Sequence, residues 1–173
     1  MKRYLISLPF TNYAGYLHDS TLTKENLQKL FRNLPYPVEL KTVNPELKDN
    51  TTSVIFLIDL QQGTKQLWNK QKSKTRQNIR KADKAGVEFL TDGNYLNEFK
   101  HIYAKNMKRL GTPQYPGKFF DNIYEYLGEN CGIWAIKFNN TVVGVSIMLF
   151  YRNTAYNYLT MTLPQYSNLK INS

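Results

Sequence analysis

Across residues 96–110, apolar side chains recur every three or four positions: Leu96, Phe99, Tyr103, Met107 and Leu110. That spacing gathers them on one helix face. Gly111 follows, with Pro113 beyond it, and both are stop signals for such a helix. Pro116 opens a second helical pattern that turns Phe119, Phe120, Ile123 and Leu127 inward and ends at Gly128. Three strands come next, over residues 132–138, 142–151 and 155–162. Asn139-Asn140 and Arg152-Asn153 separate them, as residue pairs suited to tight hairpin turns.

The first half of the chain is less regular. Residues 3–10 read as a buried strand broken by Pro9, and Thr23 can cap a helix carrying Leu27, Leu30, Phe31 and Leu34. Pro35 and Pro37 stop it, and residues 38–43 alternate like a half-buried strand. Residues 53–60, SVIFLIDL, form an unbroken apolar run that predicts a buried strand. A short strand is expected at residues 87–90, then a turn at Asp92-Gly93-Asn94. Strand, two helices and a three-strand meander predict an α+β fold, a mostly antiparallel sheet with flanking helices.

Charge changes this picture at one place. Residues 65–86 read KQLWNKQKSKTRQNIRKADKAG and hold eight Lys/Arg against one acid, Asp83. The rest of the chain has 15 basic and 12 acidic residues, so most of the net charge of +10 sits in this stretch. It lacks proline and ends in Gly86, which predicts one continuous basic helix. Trp68, Gln71, Thr75, Ile79 and Ala82 share one stripe of it, and Lys72, Arg76, Arg80 and Lys84 follow one another at i,i+4 outside. Like charges at that spacing repel, by a few tenths of a kcal/mol per pair. A phosphate-bearing ligand offsets the repulsion, because Arg forks match its oxygens. A merely solvated face and an anionic lipid surface are the competing readings; for the second, the stripe is short of Phe and Leu.

Other chemistry is sparse. Cys131 is the only cysteine, which excludes an intrachain disulfide and a cysteine-based zinc cluster. His18 and His101 have no second ligand at metal-binding spacing, so no metal site is expected. Asp59, at the end of the SVIFLIDL run, is a carboxylate candidate for general-base work or a turn cap. None of these residues is named as catalytic. The sequence has neither a signal-peptide pattern nor an apolar run long enough to span a bilayer, so a cytoplasmic location is expected. A non-catalytic RNA- or nucleotide-binding module is the alternative, supported by the basic stretch and 13 tyrosines able to stack on bases.

Four segments resemble motifs of the FemAB family, whose members have a GNAT-type acyltransferase fold. SLPFTNYAG (residues 7–15) is similar to the family's Ser-Leu-Pro-Phe-x-x-Tyr-Gly-Gly signature, with Ala14 replacing the first Gly. KSKTRQNIRKADKAG (72–86) resembles its Arg-x-x-Ile-Arg-Lys-Ala helix, MKRLGTPQYPGKFF (107–120) its Arg-x-Gly-Thr-Pro loop, and TVVGVSIMLF (141–150) the strand that follows. The resemblance implies an N-acyltransferase that moves an aminoacyl or acyl group onto an amine of a peptidoglycan precursor or another cell-envelope substrate. Aminoacyl-tRNA or acyl-CoA is the implied donor, with no tightly bound cofactor, and a phosphate-bearing precursor or nucleotide-sugar is the implied partner, with tRNA as a further one. Phosphate is then expected on Lys72, Arg76, Arg80 and Lys84, and Arg109, Thr112 and Tyr115 are expected to face the substrate. Residues 1–62 would be the C-terminal part of a first GNAT-like domain, and 63–173 the basic helix with the N-terminal part of a second. Both halves are then incomplete, and a partner chain supplying the remainder is one expectation. The family fold's pyrophosphate loop, Arg/Gln-x-x-Gly-x-Gly/Ala, is not found in this sequence; Tyr166-Ser167-Asn168-Leu169 stands where it would begin.

Overall fold

A computed structural model of the chain describes residues 5–6, 23–39, 56–91 and 93–171. The SLPFTNYAG motif, His18, residues 53–55 of the SVIFLIDL run and most of the 38–43 run lie outside these residues. The chain divides into two compact units, Met1–Asp59 and Leu60–Ser173.

In the first unit, β1 (Leu5–Ile6) pairs in parallel with β2 (Val38–Glu39), and α1 (Lys24–Arg32) lies between them in sequence. Thr23 caps α1 as expected, its Oγ1 accepting the Asn26 N–H at 3.2 Å. Leu27 is buried, but Leu30 is exposed and Leu34 falls beyond the helix, so the predicted apolar face is narrower than its spacing suggested. Phe56, Leu57 and Ile58 form no strand and are exposed among the described residues, which corrects the buried strand expected there. Asp59 therefore does not end a buried strand.

The second unit carries the core. It runs α2 (Gly63–Lys70), α3 (Ser73–Lys84), β3 (Glu88–Leu90), α4 (Leu96–Leu110), α5 (Gly117–Leu127), β4 (Cys131–Phe138), β5 (Thr141–Tyr151) and β6 (Thr154–Thr162), then a 3₁₀ turn, Pro164–Leu169. The sheet is antiparallel in the order β3-β4-β5-β6. Alternation turns Cys131, Ile133 and Ala135 of β4 and Val145 and Ile147 of β5 to one face. Phe99, Ile102, Tyr103 and Met107 of α4 and Phe120 of α5 pack on that face. The rings of Phe99 and Tyr103 meet Phe120 edge-on, with centroids 5.0 and 4.9 Å away. Burying each such side chain stabilises the fold by about 1.5–3 kcal/mol. Leu110, expected on this face, is exposed; Ile102 and Asn106 take part instead.

Asn139 and Asn140 both have positive φ, 47° and 61°, the turn geometry that asparagine tolerates better than most residues. Two bulges break the alternation. Ile136 faces Gly144 and Lys137 faces Val142, leaving Val143 extra in β5. Ile147 faces Leu159 and Met148 faces Asn157, leaving Tyr158 extra in β6. Tyr158 and Leu159, though adjacent, consequently both reach the core side. Asn157 and Thr160, three apart, share the other side, where Ser146 Oγ meets Asn157 Oδ1 at 3.1 Å and Thr160 Oγ1 at 2.8 Å.

Candidate functional site

The basic stretch is not one helix. Gln71 and Lys72 adopt ψ of 144° and 146°, and this extended pair separates α2 from α3. Arg76 explains how the break is held. Its Nη1 donates to the carbonyl oxygens of Asn69 (3.1 Å) and Gln71 (2.7 Å), which the end of α2 leaves without intrahelical donors. Arg80 completes the joint, its guanidinium 5.4 Å from the Trp68 ring centroid. The expected outer row of cations is thus divided: Arg76 is half-buried, while Lys72, Arg80 and Lys84 stay exposed. The stripe of Thr75, Ile79 and Ala82 is the half-buried face of α3, as its spacing implied. Gln77, Arg80, Lys81 and Lys84 line a shallow depression on the helix. Gly86, at φ 79°, ends α3 by reversing the chain, with Gly86 N–H donating to Asp83 O and Val87 N–H to Ala82 O.

The α4–α5 loop is placed with the same economy. Gly111, at φ 66°, lets Thr112 N–H reach back to Met107 O at 3.1 Å. Tyr115 N–H then donates to Tyr103 Oη at 3.2 Å, which fastens the loop to the middle of α4. Arg109 and Thr112 are exposed. Tyr115 is half-buried, with its ring against Phe119, Tyr103 and Phe120.

Four phenols meet where this loop, α4 and β6 adjoin: Tyr103, Tyr115, Tyr156 and Tyr158. The Tyr103 and Tyr115 centroids are 6.0 Å apart, and those of Tyr156 and Tyr158 are 6.3 Å apart. Burial, above all, pushes Tyr158 up to about 12, and the nearby Tyr115, Tyr156 and Tyr103 reinforce it. Burial also raises Tyr103, against the opposing hydrogen bond from Tyr115 N–H. Both are therefore neutral at physiological pH, and a neutral phenol can donate to a developing oxyanion. The sequence places Tyr103 on the apolar face of α4 and Tyr115 in the loop, and nothing in it links them to Tyr156 and Tyr158.

The structure thus brings Thr112 and Tyr115 to one loop, and Arg76, Arg80 and Lys84 to one helix. After β6 the chain forms the 3₁₀ turn of Pro164–Leu169, with Lys170 left-handed at its end. Among the described residues no three His, Cys, Asp or Glu side chains come together as metal ligands, and no helix is long and apolar enough to cross a membrane.

Comparison with known proteins agrees with this architecture. The family model described as an acetyltransferase (GNAT) domain matches residues 69–173. The chain belongs to the GNAT acetyltransferase family, the matched domain being residues 69–173 of its second unit. Among solved structures, that of FemX is similar with a TM-score of 0.56 at 12% sequence identity. The similarity covers 62% of this chain and 44% of the FemX chain, and it extends to the fold. No curated protein matches.

Proposed function

We propose that the chain is an N-acyltransferase of the FemAB type, acting on an amine of a peptidoglycan precursor or a related cell-envelope substrate. The observation that carries this reading is the GNAT domain over residues 69–173, on a fold shared with FemX. In the reaction the amine nitrogen forms a bond to the donor's carbonyl carbon. Collapse of the tetrahedral adduct breaks the carbonyl bond to the leaving group, a thiolate for acyl-CoA or a ribose hydroxyl for aminoacyl-tRNA. The proton lost by the amine ends on that leaving group. Hydrogen bonds to the oxyanion lower the barrier, while Arg109, Thr112 and Tyr115 face the acceptor. Lys72, Arg80 and Lys84 hold phosphate, with Arg76 shaping the surface that presents them.

The family's description as an acetyltransferase favours acyl-CoA as the donor, whereas the FemX likeness raises aminoacyl-tRNA. Incubating the purified chain with an amine-bearing, UDP-linked muropeptide and each donor in turn, then reading product mass, separates them. Acylated product with either donor supports the reading, and its absence with both, while the chain remains folded, overturns it. The lysine-lined depression on α3 also suits a non-catalytic RNA-binding role. That role predicts tRNA binding that falls steeply with salt and no product.

A further inference from the structure

A second basic surface lies on the flank of α4. His101, Lys105 and Lys108 follow one another at i, i+4 and i+7 beside the face that carries Tyr103 and Met107 into the core. Together with Thr112 and Gln114 of the following loop they wall an open cavity of about 440 Å³. Ala104, with the smallest side chain on this flank, leaves the room. The loop is fixed against the helix from both ends, by Thr112 N–H on Met107 O and by Tyr115 N–H on Tyr103 Oη. The loop backbone is therefore fixed relative to α4, and the lysine ammonium groups reach the gap on flexible stems.

The chemistry of the wall is one-sided. Beside the apolar Ala104 and Met107, it presents two ammonium groups, an imidazole, a hydroxyl and a carboxamide, and no carboxylate. Among the described residues none of His101, Lys105 and Lys108 has an ion-pair or hydrogen-bond partner. Their mutual repulsion at three- and four-residue spacing is left uncompensated by the chain itself. The C-terminal end of the α4 dipole opposes an anion here, so a ligand must engage the ammonium groups directly to outweigh it. Five donors exceed what the two oxygens of a carboxylate use well, and the volume exceeds that of a single phosphate.

We propose that this groove binds a diphosphate or phosphate ester, as a site separate from the basic surface of α3. Two anion sites on one unit suit a transfer between two phosphate-bearing substrates. The site itself does not depend on that reading, because binding alone tests it.

The test uses the full chain with Lys81→Glu and Lys84→Glu, which removes the α3 depression from the titration. Inorganic pyrophosphate is added and backbone amide shifts are followed by NMR, with chloride at equal ionic strength as the control. Saturable shifts centred on residues 101–114 are expected. Lys105→Glu with Lys108→Glu should weaken the affinity about tenfold or more. Ala104→Leu, which alters no charge and keeps a good helix former, should weaken it comparably by filling the groove. If the charge-reversed chain loses its amide dispersion, Ala104→Leu decides alone. Shifts that chloride reproduces, shifts that never saturate, or undiminished binding with the groove filled overturn the proposal.

Discussion

The guanidinium of Arg76 reaches back to the carbonyl oxygen of Gln71, with Nη1 and O 2.7 Å apart. A side chain whose spacing suggests an outward cation is thereby the cap of the preceding helix. Arg76→Ala returns the Asn69 and Gln71 carbonyls to water and loosens α2 from α3. A loss of about 1–2 kcal/mol in stability is expected, read from urea unfolding followed by circular dichroism. Arg76→Lys should recover only part of it, because an ammonium lacks the planar fork. A variant as stable as the parent would show that water serves those carbonyls equally well.

Asn106 is the one buried polar residue among those described, at 6% exposure. Its Nδ2 donates to Ile102 O within α4 and to Thr162 O at the end of β6, both at 3.0 Å. Asn106→Leu keeps the branched outline at a larger volume and removes the strand-to-helix hydrogen bond. It should destabilise the chain by about 1–3 kcal/mol. Thermal unfolding would then shift down by several degrees, and an unchanged midpoint would mean that the bond contributes nothing net.

Alkaline pH should unfold the protein in a defined window. Tyr158 stays neutral in the folded chain up to about 12, whereas an unfolded tyrosine ionises near 10.0. Between those values the unfolded state has released a proton that the folded state retains, so stability falls as pH rises. Below the window the contribution is fully present. Tyr158→Phe should flatten the decline of the urea midpoint between roughly pH 10 and 12, with phenolate absorbance confirming which state has ionised.

Cys131 offers a probe of the core's opening. Its thiol is buried at 7% exposure, and that burial raises its pKa, so little reactive thiolate exists in the native state. A thiol reagent should label it slowly, at the pace of unfolding, and at once in denaturant. Rapid labelling of the folded chain would place β4 at a fluctuating edge.

The elements from residue 86 onward were legible because their signals are local. Gly86 and Gly111 occupy the left-handed positions that only glycine takes without strain, and Asn139-Asn140 form the expected turn. The break at Gln71-Lys72 was not legible. Nothing in the composition of 65–86 opposes a helix there, and the hydrogen bonds of Arg76 that hold the break become visible only in three dimensions. Exposed Leu110 and buried Asn106 show the same limit, since spacing defines a face but not how far along it the packing extends. The fourfold tyrosine grouping joins positions from 103 to 158, and no local pattern links them.

The extra residue in β6 has a consequence for chain length. An insertion in a strand ordinarily inverts the facing of everything beyond it, but a bulge absorbs the added residue locally. Tyr158 is thus a ring added to the core without reassigning Asn157 or Thr160. Relatives one residue shorter at this point would keep every other β6 side chain on its present face. Length variation there would track the tyrosine cluster alone, independently of the rest of the sheet.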